Sequence, residues 1–476
     1  MTTTERLHPK DRIPTLNRLH ATLPDTVESN ASLIAEAWFK SFSSFIESGN
    51  VAAVLALLCD DALWRDAYAL TWDIRTLDGT AKIKPCLENR LPILSIHSFK
   101  WKEFVRFQRP YPDLAWILAM FGFETSVGEC TAVVRLVPTG KENWKACTIF
   151  TNLDDLKAFP EMIGPLRQQQ GVPGLVWKSQ REEEVQFASS DPSVIGTFRG
   201  EILHSSMYKQ AASFEGKKVV VIGSGNSGHD ISADLARANI DVTMYQRSPT
   251  LVVNLDKAWK FLGGALYSEG SPPNSIADRL QHSMPHLLLE GGMSQRGTKA
   301  ILNDQKDLQD GLKNAGFKLN AGILDAGILL NLKQKGGGHY FDIGATQMII
   351  DGLIKLKNDS PILEFDESGL KFVNGSRLDA DAVICATGCG DMRGFIRKLC
   401  GDVVADECPP LIGVDEEGEM TWFRPLPRKG LWYMHGSLSL TRFYSKHVAM
   451  YIKAMEQNLI TSRYASELGP NCIRLR

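Results

Sequence analysis

The feature that most constrains the fold is the segment VVVIGSGNSGHDIS, which begins at Val219. Its first four residues are β-branched and predict a buried strand. Gly223, Gly225 and Gly228 then give the pattern G-x-G-x-x-G where the strand turns into a helix. The first glycine permits the tight turn, the second lets backbone amides approach a pyrophosphate, and the third lets the helix pack against the strand. Because a second strand, DVTMYQR, follows the helix, the segment predicts a βαβ unit that binds a dinucleotide.

The end of this second strand discriminates between the two nicotinamide cofactors. Gln246, Arg247 and Ser248 occupy the place where an acidic residue would bind the ribose 2′-hydroxyl of NAD. A guanidinium at that place suits the 2′-phosphate of NADP(H), and the alternative is a solvated surface arginine. The predicted cofactor-binding residues of this region are Gly223, Ser224, Gly225, Asn226, Ser227, Gly228, Arg247 and Ser248.

Composition and charge exclude several classes of function. A net charge of −2 offers no basic field for nucleic acid, and apolar runs such as VAAVLALL fall well short of the roughly 20 residues of a membrane span. The nine cysteines are scattered without a C-x-x-C pair, which predicts reduced thiols and no metal site. We therefore expect a cytoplasmic protein that acts on a small molecule and that is able to form a homodimer.

The order of patterns along the chain predicts an α/β domain joined to an α+β domain. Helical periodicity from Ser32 gives way to four β-like runs, which is typical of helices packed on a curved antiparallel sheet. The predicted segments are a lead-in at 1–30, a cone-shaped α+β domain at 31–156, a linker at 157–197, a Rossmann-like domain at 198–390 with a helical insertion at about 256–335, and a closing strand and helix at 391–476.

Taken in order, the motifs resemble those of the flavin-containing monooxygenases. FRGEILHSS matches the family signature F-x-G-x-x-x-H-[ST], and DADAVICATGCGD resembles the family's late A-T-G strand end. The amino-terminal part is similar to the polyketide-cyclase and nuclear-transport-factor-like fold. The resemblance implies oxygenation of a small molecule with NADPH and FAD, and it identifies no catalytic residue. The residues that carry it are Phe198, Gly200, His204 and Ser205 in the signature and Thr387 and Gly388, also expected to bind cofactor, in the strand end.

One part of that family pattern is missing. The family has two glycine loops, the first for FAD and the second for NADPH, and only the second occurs here. About 30 residues separate Arg167 from Phe198, whereas a dinucleotide half-domain needs on the order of 100. DPSVIG, at 191–196, resembles a flavin-domain strand cut off at its first glycine. Segment 391–476 then resembles a flavin-domain remnant, whose strand LWYMHG must either pair elsewhere, for example along the NADP-binding sheet, or remain poorly ordered.

Two other functions remain open from the sequence. Without FAD, the chain would be an NADP(H)-binding reductase or a pseudoenzyme. Alternatively, the amino-terminal domain would act as a cyclase or isomerase through an acid–base pair drawn from Asp66, Asp73 and His97.

Overall fold

A computed structural model describes residues 12–140, 143–161, 198–388, 390 and 393–460. The chain divides into two compact units. The first unit comprises residues 1–163, 265–293 and 391–476, and the second comprises 164–264 and 294–390. The linker and the DPSVIG segment expected from the sequence lie outside the described residues, apart from the linker's first five. No helix within the described ranges is long and apolar enough to cross a membrane.

The first unit contains a six-stranded sheet in the order β2-β1-β6-β5-β4-β3. Neighbouring strands are antiparallel except for β1 and β6, which are parallel. The strands are β1 Leu58–Ala67, β2 Ile74–Asp78, β3 His97–Tyr111, β4 Leu114–Glu124, β5 Gly128–Pro138 and β6 Trp144–Leu156. The helices are Val27–Glu47, Val51–Ala56, Thr80–Leu94, Ala265–Tyr267, Asn274–His282, His286–Leu288, Arg393–Cys400, Asp402–Glu407 and Leu438–Glu456, with a π-helical segment at Leu289–Met293.

The apolar pattern explains how this sheet is covered. Ten of the eleven residues of β4 are buried, as its nearly continuous hydrophobic run predicts for a strand covered on both faces. Helix Val27–Glu47 buries an apolar face that includes Trp38 and Phe42, and Trp38 stacks on Phe42 with ring centroids 4.7 Å apart. Helices followed by a largely antiparallel sheet agree with the predicted α+β class. The likeness to a cone-shaped domain stays a prediction.

The carboxy-terminal segment packs within the first unit. Helix Leu438–Glu456 buries Phe443, Tyr444 and Tyr451 in the same hydrophobic core as the six-stranded sheet. The prediction of a strand at LWYMHG is wrong, because Trp432 and Tyr433 form only isolated bridges to nearby residues of the same segment. The prediction that this segment could extend the sheet of the glycine motif is also wrong, since that sheet takes its strands from residues before 386.

The second unit is built around a five-stranded sheet in the order β12-β9-β8-β16-β7, whose neighbouring strands are all parallel. β10 and β11 form a separate parallel pair, and β13, β14 and β15 form an antiparallel sheet. The strands are β7 Glu201–His204, β8 Lys218–Ile222, β9 Asp241–Tyr245, β10 Leu251–Asn254, β11 His339–Asp342, β12 Lys355–Lys357, β13 Ile362–Asp366, β14 Gly369–Phe372, β15 Arg377–Asp379 and β16 Ala382–Cys385.

The predicted βαβ unit is present in the second unit. β8 runs into helix Asn226–Arg237, which returns the chain to β9 beside β8. This is the mixed α/β, Rossmann-like arrangement expected for the glycine motif. The helices of the unit are Asn226–Arg237, Leu255–Trp259, Ser294–Asp304, Lys306–Asn314, Gly327–Lys335 and Ala345–Ile350, with 3-10 turns at Ser205–Met207, Ala211–Phe214 and Ile323–Asp325 and a π-helical segment at Lys260–Gly264.

Candidate dinucleotide site

The predicted site residues of the second unit lie at one edge of its sheet. β7, β8, β9 and β16 are parallel, so their carboxyl ends meet at the same edge. In open α/β sheets, ligands bind at this edge. The residues that follow these strand ends are Ser205 after β7, Gly223 after β8, Gln246 and Arg247 after β9, and Ala386, Thr387 and Gly388 after β16.

Two of the three motif glycines are fixed by backbone contacts. Gly223 has a φ of +123°, and a Cβ added there would lie 2.3 Å from the carbonyl oxygen of Ala386. A Cβ added to Gly228 would lie 2.1 Å from the carbonyl oxygen of Gly223. No side chain larger than hydrogen fits at either position, because both obstacles are backbone atoms. These glycines allow the turn and the close packing of the helix on it.

Gly225 differs from its two neighbours in the motif. Its φ is −87° and its ψ is −167°, which other residues adopt easily. A Cβ there would meet only the carbonyl oxygen of His339, at 3.8 Å. The protein itself therefore does not require a glycine at this position. A ligand that approaches the backbone closely would require it.

The helix that starts here presents its amino end at the carboxyl edge. Gly225 is the N-cap of helix Asn226–Arg237, no side chain caps the helix, and its first turn contains no acidic residue. The first amides of a helix and its dipole together favour an anion. The side chain of Asn226 accepts a hydrogen bond from the amide of Phe341 at 3.0 Å, which ties the start of the helix to β11.

Arg247 and Ser248 are exposed just beyond the end of β9. Among the residues that the structure describes, no carboxylate pairs with Arg247, so its guanidinium is available to a ligand. The preceding residue, Gln246, is fully buried, and its side chain hydrogen-bonds within the protein. An acidic residue for the ribose of NAD is therefore absent from this strand end, and a cation lies beside it.

The signature histidine joins two of the strand ends. His204 Nε2 lies 3.2 Å from the carbonyl oxygen of Gly388, and its Nδ1 accepts a hydrogen bond from the amide of Ser206 at 3.3 Å. Nδ1 must then be unprotonated, and Nε2 donates to Gly388. Gly388 has a φ of +88°, so the histidine fixes a turn that favours glycine. Ser205 begins the short 3-10 turn after β7, and this places the signature beside the A-T-G strand end.

The remaining signature residues have packing roles. The rings of Phe198 and Phe365 meet edge to face with centroids 6.0 Å apart. A Cβ at Gly200 would lie 2.4 Å from the carbonyl oxygen of Asp381, which explains the glycine. Neither residue presents a polar side-chain group for chemistry. Sequence reasoning therefore located these positions without distinguishing contact residues from packing residues.

His229 is a site residue that sequence reasoning did not single out. It is fully buried behind the glycine loop and stacks on Tyr340 with ring centroids 3.9 Å apart. Its Nδ1 lies 3.1 Å from the carbonyl oxygen of Gly225, to which it donates. Burial lowers the pKa of His229 to about 4, so the ring is neutral at physiological pH. Its position directly after the third glycine is the only sequence signal that marks it.

The acid–base candidates of the amino-terminal domain are held by other contacts. Buried Asp66 accepts hydrogen bonds from the hydroxyls of Thr71 and Thr151, at 2.7 and 2.6 Å, and from two backbone amides. Asp73 pairs with Arg424 at 2.9 Å. His97 is exposed and lies 3.7 Å from a carboxylate oxygen of Glu124, and within the described residues it pairs with neither aspartate.

An apolar cavity in this domain is not lined by any of these three residues. Its volume is about 10 Å³, close to the space that one water molecule needs. Its lining contains Trp64 and Thr151 but not Asp66, Asp73 or His97. No group of three or more His, Cys, Asp or Glu side chains within the described ranges could hold a metal ion.

The sequence of this chain is similar to those of known flavin-binding monooxygenases. Residues 187–294 match the flavin-binding monooxygenase-like family. The chain is 32% identical over 194 residues to the probable indole-3-pyruvate monooxygenase YUCCA10 of Arabidopsis thaliana. The aligned segment covers 41% of this chain and 43% of that protein. Over 211 residues it is 29% identical to the indole-3-pyruvate monooxygenase YUCCA1 of Oryza sativa subsp. japonica, covering 44% and 46%. The chain thus spans less than half the length of the curated relatives it matches.

Solved structures give weaker similarities. Cyclohexanone monooxygenase from Rhodococcus sp. Phi1 bound to NADP⁺ is 17% identical, with a TM-score of 0.29 and coverage of 42% of this chain and 44% of that one. The flavin-containing monooxygenase from Stenotrophomonas maltophilia is 16% identical, with a TM-score of 0.30 and coverage of 56% and 59%. These TM-scores are too low to identify the fold. The sequence match is more informative, because the signature, the glycine loop and Arg247 all lie inside the segment that matches flavin-binding monooxygenases.

Proposed function

We propose that this chain is a flavin monooxygenase-like oxidoreductase that binds NADP(H) at the carboxyl edge of the second unit. The proposal rests on two features that lie together at that edge. A helix amino end without a side-chain cap follows a glycine turn, and Arg247, which pairs with no carboxylate of the described residues, follows the adjacent strand. The helix end suits a pyrophosphate, and the arginine suits a 2′-phosphate. The family match over the same residues supports this assignment.

Each residue of the site has a role in this proposal. The backbone amides at the start of helix Asn226–Arg237 hold the pyrophosphate, and the bare Cα of Gly225 lets it come close. Arg247 and Ser248 bind the 2′-phosphate that distinguishes NADP(H) from NAD(H). His204 holds the Gly388 turn in place through the 3.2 Å contact and takes no part in proton transfer. Thr387 and Gly388 border the bound cofactor at the end of β16.

The residues of this chain do not fit FAD in the same way. FAD, when bound, would supply the activation of oxygen in such enzymes. The sequence contains a single G-x-G-x-x-G motif, and the NADP(H) assignment uses it. We therefore derive no step through FAD from these residues. The missing motif favours, as a second candidate, a flavin-less NADP(H)-binding reductase or pseudoenzyme.

The cyclase or isomerase alternative receives less support. An acid–base mechanism needs two groups within reach of one substrate. The apolar cavity described above has room for about one water, and its lining does not contain Asp66, Asp73 or His97.

Substitution of Arg247 tests the NADP(H) assignment. Arg247→Ala should weaken NADPH binding by about 1.5–3 kcal/mol, the range for hydrogen bonds to charged groups, which is roughly a tenfold to 150-fold rise in Kd. NADH binding should change less than about twofold, because NADH lacks the 2′-phosphate. Arg237→Ala is the matched control, since Arg237 is exposed at the opposite end of helix Asn226–Arg237. Equal losses for the two cofactors would contradict the assignment.

A second experiment separates the two candidate functions. The purified protein is examined for flavin absorbance, for FAD released on denaturation, and for NADPH oxidation with oxygen and indole-3-pyruvate, the compound in the names of its relatives. Bound FAD with substrate-dependent NADPH oxidation supports the monooxygenase. Colourless protein that binds NADPH without oxidising it supports the flavin-less alternative.

A further inference from the structure

The loop that carries Arg247 is anchored at both of its ends. It runs from Gln246 to Thr250 after β9, and these two residues are 0% and 3% exposed. The three residues between them, Arg247 to Pro249, are all exposed. A loop with buried ends and an exposed middle presents the middle at a fixed place.

The first anchor is the side-chain amide of Gln246. Its Nε2 donates to the carbonyl oxygen of Lys318 at 2.7 Å, and its Oε1 accepts from the amide of the same residue at 2.9 Å. Asn358 Nδ2 donates to the same Oε1 at 3.1 Å. The side-chain amide of Gln246 thus makes three hydrogen bonds inside the protein. These bonds hold the loop in place, and the side chain is buried away from a ribose bound at the surface.

The second anchor is Thr250, and it reaches the glycine loop. Its Oγ1 lies 2.7 Å from Oγ of Ser224, which stands between the first two glycines of the motif. Its amide donates to the carbonyl oxygen of Lys318 at 3.1 Å. The hydroxyl pair connects the loop that carries the cation directly to the loop that faces the pyrophosphate.

The exposed middle is also restricted. Pro249 has a fixed φ and disfavours helical backbone at Ser248, the residue before it. Asn320 Nδ2 donates to the carbonyl oxygen of Pro249 at 2.8 Å, which adds a third attachment. The backbone that carries Arg247 is therefore ordered before any ligand arrives, and binding avoids the entropic cost of ordering it.

We infer that Gln246 and Thr250 are positioning residues that set Arg247 at a fixed place relative to the glycine loop. They thereby determine selectivity for NADP(H) over NAD(H) without touching either cofactor. The inference rests on the proposed binding of NADP(H) at this edge. It goes beyond that proposal because it assigns selectivity to buried residues outside the contact surface.

Substitution of Thr250 tests the inference with a conservative pair of variants. Thr250→Val keeps the shape and removes the hydroxyl, whereas Thr250→Ser keeps the hydroxyl. With Kd measured by fluorescence titration, Thr250→Val should raise the Kd of NADPH about threefold to tenfold, the effect of one lost hydrogen bond, and leave that of NADH within about twofold. Thr250→Ser should retain NADPH binding close to that of the unmodified protein. Gln246→Leu should act as Thr250→Val does, and thermal unfolding checks that each variant is folded.

A double-mutant cycle shows whether Thr250 acts through Arg247. In the Arg247→Ala background, Thr250→Val should cause no further loss of NADPH binding. Additive losses, or equal losses of NADPH and NADH in Thr250→Val, would overturn the inference. If Arg247→Ala is selective and Thr250→Val has no effect, the inference alone fails. If Arg247→Ala does not discriminate between the cofactors, the proposed NADP(H) site fails, and the inference with it.

Discussion

Gly225 and Gly228 belong to one motif, but the contacts around them indicate different roles. Gly228→Ala places a methyl group 2.1 Å from the carbonyl oxygen of Gly223 and 2.8 Å from its carbon. Gly225→Ala meets nothing nearer than the carbonyl oxygen of His339 at 3.8 Å, in backbone geometry that alanine adopts easily. We expect the first change to damage folding and the second to damage only nucleotide binding.

The magnitudes follow from these contacts. Overpacking typically costs 1–3 kcal/mol, and we expect about 3 kcal/mol for Gly228→Ala because neither obstacle is a side chain that can rotate away. In a unit of about 200 residues, this lowers Tm by roughly 6–12 °C. Gly225→Ala should leave stability unchanged or raise it by about 0.4–1 kcal/mol, through the lower entropy of the unfolded chain. The new methyl group displaces the pyrophosphate from one or two amides, which weakens NADPH binding by roughly tenfold or more.

Calorimetry of the free protein and NADPH titration separate the two effects. Gly225→Ala should unfold at or above the Tm of the unmodified protein and should raise the Kd of NADPH and that of NADH by the same factor, because both cofactors contain the pyrophosphate. Gly228→Ala should unfold early even without cofactor. Normal NADPH binding by Gly225→Ala would refute the close approach of a phosphate. Normal stability of Gly228→Ala would refute the packing argument.

Two further expectations concern buried charge and buried histidine. Glu419→Gln should cost about 3–5 kcal/mol in chemical unfolding, because it leaves Arg65 buried beside a neutral group, whereas Glu367→Gln in the exposed pair with Arg199 should cost under about 1 kcal/mol. His229 has a pKa of about 4 when folded and about 6.5 when unfolded, so as pH falls through this window only the unfolded state gains its proton, and stability falls. His229→Phe should make the pH dependence of unfolding shallower by up to about 1.4 kcal/mol per pH unit, and an unchanged slope would contradict this.

The glycine turn and its helix were predictable from sequence because the glycine spacing and the apolar strand that mark them lie within one short segment. The anchors of Arg247 were not, because Gln246 bonds to Lys318, 72 residues further along the chain. Asn226 likewise meets Phe341 across 115 residues. Residue types and spacing reveal what a local turn requires, but not which distant segment completes its hydrogen bonds.

The buried charged residues in β1 and in the turn that follows it show the same limit more sharply. From sequence, Asp66 and Asp73 were expected mainly to shape the amino-terminal domain, with acid–base chemistry as the alternative. Arg65 meets Glu419 across 354 residues, and Asp73 meets Arg424 across 351. A buried charge needs a partner. Here the partners lie on a distant segment of the same unit, so these ion pairs attach that segment to the domain. The carboxy-terminal segment, expected to lack a sheet to pack on, thus obtains one from the amino-terminal domain. Asp73, whose carboxylate is bound by Arg424, is one of the residues that make this connection.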